Sequence, residues 1–329
     1  LKNSLFIIAF LVFSSSFSQE VYSETMKLMG SRFDISVVAN TKEEGEESIH
    51  IAVAEISRIE KLISSWDENS QTSLINSQAG IAPVKVASEL FQLIERALKI
   101  SKLTSGAFDI SYASMDKIWK FDGSMTAMPS EEIIKKSVDK VGYQNILLDH
   151  KEQTVFLKRK GMKIGFGAIG KGYAADKAKI LLQSKGVKAG IINASGDLNA
   201  WGKQPNNKDW MVAIVNPLNK NKVFSWLPVH NQAVVTSGNY EKYVSFDGEL
   251  YSHIIDPRTG YPSKGILSVS IFTKSAELAD ALATSVFVMG VEVGLDFINQ
   301  LKDVECIIVD GDNKIITSNH IELKQNNHD

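Results

Sequence analysis

The sequence predicts an α+β protein with a mostly antiparallel sheet and packed helices. Three observations carry that expectation. Strand-like alternation gives way to amphipathic helical runs in both halves of the chain, short hairpins join several strands, and no linker, low-complexity tract or short repeat divides the sequence. The 329 residues are 44% apolar and 22% charged, enough for one large core or two modest ones. The 36 basic and 38 acidic residues are spread along the whole length for a net charge of -2. That balance removes the basic stripe expected of a nucleic-acid or anionic-membrane binder.

The first residues, "LKNSLFIIAFLVFSSSFSQE", hold one early lysine, an apolar run from Leu5 to Phe13 and small residues around Phe17. They read as a secretory signal peptide over residues 1–18, too short to span a bilayer, followed by a single domain over 22–322. No cysteine stands at the cleavage point to take a lipid, so the expected location is periplasmic or extracytoplasmic and soluble. The one cysteine, Cys306, falls in the buried-strand pattern "VECIIVD" and excludes a disulfide within the chain.

After the signal, "MKLMGSRFDISVVA" alternates as a strand ending near Asn40. Thr41 and Glu44 form a capping box before an amphipathic run from Glu47 to Ser64. "SSWDENSQTSLINSQAG" is polar and turn-rich, and a second helix runs from Ser88 to about Leu103. From Asn145 the segments "NILLD", "TVFLKRK" and "KIGF" read as strands, and "GAIGKGYAADKAKILLQSKG" as a helix closed by Gly186. "AGIINASGDLNAWG" reads as a buried strand running into a polar turn. Strands follow near Met211–Val215 and Ala233–Thr236, then a hairpin turning at Asp247 and Gly248. A strand at Ile266–Thr273, helices at Ala276–Met289 and Val293–Leu301, and a strand pair around Asp310–Asn313 complete the chain.

Chemistry concentrates in a few stretches. "GFGAIG", Gly165–Gly170, formally matches a dinucleotide-binding glycine loop, but the acid expected after the next strand comes late, at Asp197. The helix-opening amides at Lys171 suit a phosphate or a metal-bound oxygen better. Asp280 and Thr284 stand four apart on a predicted helix and so share one face, an oxygen pair suited to a hard cation such as Mg²⁺. Read singly, the same pair also fits an aspartate serving helix-start amides beside a back-bonded threonine. Ser195, Gly196 and Asp197 end a buried strand, and Gly106, Ala107 and Asp109 in "TSGAFD" allow close approach to a nucleotide. In "YSHIIDPRTGYP", His253 on the outgoing hairpin strand suits a general base, and Asp256 and Arg258 suit orientation or phosphate neutralisation.

Taken together and in order, "LMGSRFDISV", "TSGAFD", "GFGAIGKGYAADKA", "NASGDLNAWG", "VVTSGNYEKY", "HIIDPRTGYP" and "ADALATSVFVMG" make a sequence that resembles the ApbE family of FAD:protein FMN transferases over nearly all of the mature chain. The resemblance implies a duplicated T-fold and a Mg²⁺-dependent reaction at the pyrophosphate of FAD. A serine or threonine hydroxyl of an acceptor protein takes FMN, and AMP leaves. It implies metal ligation by Asp280, Thr284 and the Ala168 carbonyl, and His253 as general base. Met29, Trp66, Ala107, Phe108, Asp109, Lys171, Ser195, Gly196, Asp197, Thr236, Ser237 and Ile254 would contact the nucleotide. Acceptors in the family are flavin-carrying subunits of redox pumps or extracellular reductases. Many relatives carry an aspartate where this chain has Gly165. With water as acceptor, the same site would be an FAD pyrophosphatase; without chemistry, the chain would be an exported flavin-binding protein.

Overall fold

The computed structural model describes residues 19–216, 219–238, 243–246 and 248–321. The expected signal segment, the hairpin position Asp247 and residue 322 of the expected domain lie outside the described residues.

The first half opens with β1 (Glu20–Leu28) and β2 (Ser31–Ala39), then α1 (Lys42–Ile63), α2 (Gln71–Ser77), β3 (Val84–Lys85), α3 (Ser88–Leu103), α4 (Glu131–Ser137), β4 (Ile146–Asp149), β5 (Thr154–Leu157), α5 (Gly170–Ser184), β6 (Gly190–Ala194) and β7 (Asp197–Trp201). The second half holds β8 (Trp210–Asn216), β9 (Asn219–Val229), β10 (Ala233–Gly238), β11 (Tyr243–Phe246), β12 (Glu249–Ser252), β13 (Ile266–Thr273), α6 (Ala276–Met289), α7 (Val291–Asn299), β14 (Glu305–Asp310) and β15 (Ile315–Thr317).

Eight strands form one antiparallel sheet in the order β1-β2-β6-β7-β10-β13-β14-β15. The order divides at β7 and β10 into two halves of the same plan: two strands, two helices, two strands. In the first half α1 and α5 lie between β2 and β6; in the second, α6 and α7 lie between β13 and β14. The α2–β5 region is inserted between α1 and α5, and the ribbons β8–β9 and β11–β12 are inserted around β10. The two helical layers cover one face of the sheet with separate cores, Phe33, Ile35, Ile56 and Ile192 in one and Val269, Ile271, Val286 and Phe287 in the other. The β8–β9 ribbon covers the opposite face through Trp210, Val212 and Val229.

Several local readings change. The first strand is a hairpin: Leu28 pairs with Ser31, and Met29 and Gly30 both take positive φ (50° and 73°) in a two-residue turn. Because both sides of that turn alternate alike, the break is invisible to periodicity. Ser70 caps α2 by accepting from the Ser73 N–H, so the polar stretch before α3 is partly helical. "KIGF" forms no strand. The Asn76 amide bridges both backbone groups of Ile164, at 2.7 and 3.0 Å, in place of a neighbouring strand. "DLNAW", read as a polar turn, is the fully buried strand β7, since Ser195 (φ 54°) and Gly196 (φ 102°) already reverse the chain. His253 lies just past β12 rather than on it. The glycine loop therefore follows irregular chain, and the dinucleotide-fold context is absent.

Candidate active site

A cavity of about 950 Å³ opens where the two halves of the sheet meet. Its walls come from the β6–β7 turn, the end of β10, the loop entering α5, one face of α6, residues 107–113 and the chain after β12. Of the site residues that the family resemblance implies, all but Met29 line it. Met29 turns away: its N–H donates to the Glu60 carboxylate at 3.1 Å, and its side chain packs behind Gly170. It braces the loop that opens α5 instead of facing a ligand.

The helices α5 and α6 set the polar end of the cavity. They cross so closely at Gly172 that a Cβ there would stand 2.1 Å from the Ala276 carbonyl oxygen. Glycine alone fits. At that crossing the Gly172 N–H donates to Asp280 Oδ2 at 3.3 Å, so one amide opening α5 is taken by protein rather than left for a ligand. Asp176, on α5, accepts in turn from the Ser275 hydroxyl and the Ala276 and Glu277 N–H groups that open α6, at 2.7–3.0 Å. Asn199 on β7 donates to Asp176 at 2.5 Å and accepts from Lys179 at 2.8 Å, tying both helices to the sheet.

Asp280 is buried, and its carboxyl is pushed well above the ordinary carboxylate range, first by burial and then by the charge of Asp197, with which it shares a hydrogen bond. Lys171 Nζ lies 2.8 Å from Asp197 Oδ2 and partly offsets the pair. Thr284 stands one turn along α6 from Asp280, and Ala168 belongs to the loop just before α5. Two abutting carboxylates, a hydroxyl and a nearby backbone carbonyl form an oxygen donor set. A hard divalent cation would relieve the repulsion that pushes the Asp280 carboxyl upward beside Asp197. Among the described residues no cluster of three or more His, Cys, Asp or Glu side chains exists to compete for a metal.

Asp109 lines the cavity with its carboxylate already engaged by the chain around it. Its carboxylate accepts from the Ser111 N–H and hydroxyl (2.7 and 2.6 Å) and from the Tyr143 N–H (2.7 Å), capping the short turn Ile110–Ser114. It shapes the wall holding Ala107 and Phe108. Thr236 pairs with Ser270 at 2.8 Å, and Ser195 donates to the Arg32 carbonyl at 2.9 Å, fixing the β6–β7 turn against β2. Trp66 is 83% exposed at the rim, a flat apolar surface open to a planar ligand, with Lys117 Nζ 5.0 Å from its ring centre.

His253 and Ile254 also line the cavity, Ile254 packed against the apolar core of α6, and the Phe121 ring meets the imidazole edge-on at 6.4 Å. The polar groups that follow serve the turn itself. Asp256 accepts from the Arg258 N–H (2.8 Å) and its guanidinium (2.8 and 2.9 Å), and the Gly260 carbonyl takes the Trp119 indole N–H (2.9 Å). Asp256 and Arg258 do not line the cavity; Pro257 does. The stretch is dense because it locks one loop while presenting one histidine.

Sequence reasoning missed Asp34, Ser36 and Asn193, which line the cavity on the sheet face away from the helices. Asp34 pairs in register with Asn193, and the alternation of Asp34 and Ser36 with buried Phe33, Ile35 and Val37 was the signal that could have found them. Gly165 also lines the cavity; a Cβ there would meet that of Ala113 at 3.1 Å, so a side chain at this position needs Ala113 to give way.

Known proteins share this arrangement. A "FAD:protein FMN transferase" of Klebsiella pneumoniae (strain 342) is 31% identical over 307 residues, 92% of this chain and 94% of that protein. One of Treponema pallidum (strain Nichols) is 31% identical over 289 residues, 82% of this chain and 80% of its own length. The crystal structure of the ApbE protein of Thermotoga maritima matches with a TM-score of 0.81 at 33% identity, covering 91% of this chain and 97% of that one. The apo Pseudomonas stutzeri flavinyl transferase ApbE matches at 0.79 and 25% identity, covering 92% and 95%. Residues 29–308 match the sequence profile described as the ApbE family. With the doubled two-strand, two-helix plan and a shared cavity at its centre, the chain belongs to the ApbE family.

Proposed function

We propose that this protein transfers the FMN moiety of FAD to a serine or threonine hydroxyl of an acceptor protein, with Mg²⁺ bound at Asp280, Thr284 and the Ala168 carbonyl. The observation that carries the reading is the convergence, in the lining of one cavity, of the Asp197–Asp280 carboxyl pair and His253. A store for flavin needs neither.

The 950 Å³ volume suits a dinucleotide. Trp66 and Phe108 offer apolar surface to the flavin. Lys171 and the start of α5 place positive charge where the pyrophosphate must lie. His253 accepts the proton of the incoming hydroxyl as its oxygen bonds to the FMN-side phosphorus, and the bond from that phosphorus to the AMP oxygen breaks. Mg²⁺ would neutralise the phosphate oxygens and the leaving AMP. Phosphoryl transfer rests mainly on such alignment and charge neutralisation, and a general base typically adds about 10²–10⁴-fold.

The first twenty residues support export to the periplasm or beyond, where acceptors would be flavin-carrying redox-pump subunits or extracellular reductases. The test is mass spectrometry of the unmodified flavin-carrying subunit of a sodium-translocating NADH:quinone or Rnf-type pump, incubated with the protein, FAD and Mg²⁺. A mass gain of one FMN, lost in Thr284→Ala, supports the transferase. AMP and free FMN without labelling mean a pyrophosphatase, and neither product means a flavin-binding protein.

A further inference from the structure

A second hollow, of about 540 Å³, lies between residues Thr126–Met128 and one face of the β11–β12 ribbon. The ribbon's register explains which side chains wall it. Val244 pairs with Tyr251 and Phe246 with Glu249, so Phe246 and Tyr251 share a face, their rings 5.8 Å apart. Met128 closes the other side.

Both walls lead to the candidate base. Tyr251 precedes His253 by two residues, which in extended chain span at most about 7 Å. From the facing segment, Phe121 meets the His253 ring at 6.4 Å. Tyr251 in the lining of the hollow and His253 in the lining of the main cavity are thus two residues apart on one stretch of chain. A serine or threonine hydroxyl is only two bonds from its own Cα, so an acceptor that brings it to His253 must lay its flanking backbone on the adjoining surface.

We infer that the hollow between Thr126–Met128 and the β11–β12 ribbon docks the acceptor segment flanking the modified serine or threonine. This inference rests on the transferase reading. The chemistry specifies an extended, uncharged stretch with an apolar side chain. Among the described residues the only charged group in the lining is Glu249, and Lys264 and the Tyr251 hydroxyl already hold it, each at 3.1 Å. Met128 and the two rings offer an adaptable apolar surface, and Thr126 offers a hydroxyl to a peptide backbone. The hollow therefore selects the acceptor, while the main cavity selects the flavin nucleotide.

The experiment measures initial rates of FMN transfer to the pump subunit at saturating FAD and Mg²⁺, with acceptor concentration varied. Met128→Glu and Tyr251→Ala are compared with Leu250→Ala, which lies on the opposite face of the ribbon. Loss of one anchor of an interface predicts acceptor KM raised about tenfold in the first two, with FAD affinity by fluorescence titration unchanged and Leu250→Ala like the parent. Unchanged acceptor KM in both hollow variants overturns the inference and leaves the transferase standing. Sedimentation showing that Met128→Glu splits a dimer would instead make this a self-association surface. If the parent protein releases AMP but labels no acceptor, the transferase reading falls and the docking role falls with it.

Discussion

Asp176 on α5 and Asp280 on α6 each accept backbone N–H groups at the start of the other's helix, a reciprocal exchange that clamps the two halves of the molecule together. The two carboxylates are nevertheless unequal. Asp176 has four donors within reach and serves structure. Asp280 is buried against Asp197 with its carboxyl pushed up, a placement that a bound cation would relieve.

The first prediction separates these roles. Asp176→Asn should destabilise the protein by roughly 1–3 kcal/mol, because amides opening α6 lose a charged acceptor. Asp280→Asn should leave stability in chelator unchanged or higher. Mg²⁺ should raise the urea midpoint of the parent protein but not of Asp280→Asn. Equal destabilisation by both substitutions would contradict the assignment.

The base makes a kinetic prediction. His253→Ala should slow FMN transfer by about 10²–10⁴-fold while FAD still binds. Rapid-quench assays at neutral pH decide it, and an undiminished transfer rate would remove His253 from the mechanism.

At the helix crossing, Gly172→Ala puts a methyl group 2.1 Å from the Ala276 carbonyl oxygen. Overpacking of this kind costs about 1–3 kcal/mol and sometimes more. Separation of α5 from α6 should also weaken Mg²⁺ binding, whereas Gly311→Ala, whose Cβ would meet only Gly265 at an ordinary 3.7 Å, should cost less and spare the metal. Thermal melts with and without Mg²⁺ compare the two.

A pH prediction comes from Glu89, which joins α3 to α1 and α5. Arg58 donates to it at 2.7 and 3.0 Å and the Tyr173 hydroxyl at 2.7 Å, and chiefly Arg58 holds its carboxyl at about 2. The folded value lies below the unfolded one. The stabilisation is therefore complete above about pH 4.5 and is lost as the pH falls toward 2. Allowing for solvent screening at this partly exposed site, Glu89→Gln should cost on the order of 1–2 kcal/mol at pH 7 and progressively less below pH 4. A penalty independent of pH would point to packing instead.

By itself, the sequence determined the elements whose pattern is local. The helix Ser88–Leu103, the strand Ile266–Thr273 and the helix Ala276–Met289 fall where periodicity and caps put them. Ordered motifs likewise named fifteen of the residues that now line one cavity. Tertiary structure decided what those residues do for one another. That Asp109 holds the Tyr143 N–H, that the Met29 N–H donates to Glu60, and that burial beside Asp197 pushes the Asp280 carboxyl up all depend on partners distant in sequence. The same holds for "KIGF", which a side-chain amide from Asn76 keeps out of any sheet, and for Asp34, which pairing with β6 brings to the cavity wall. Periodicity reports which face of an element is buried, because burial repeats along the chain. It carries no record of which far segment supplies the other half of a hydrogen bond, and in this site that far half sets the chemistry.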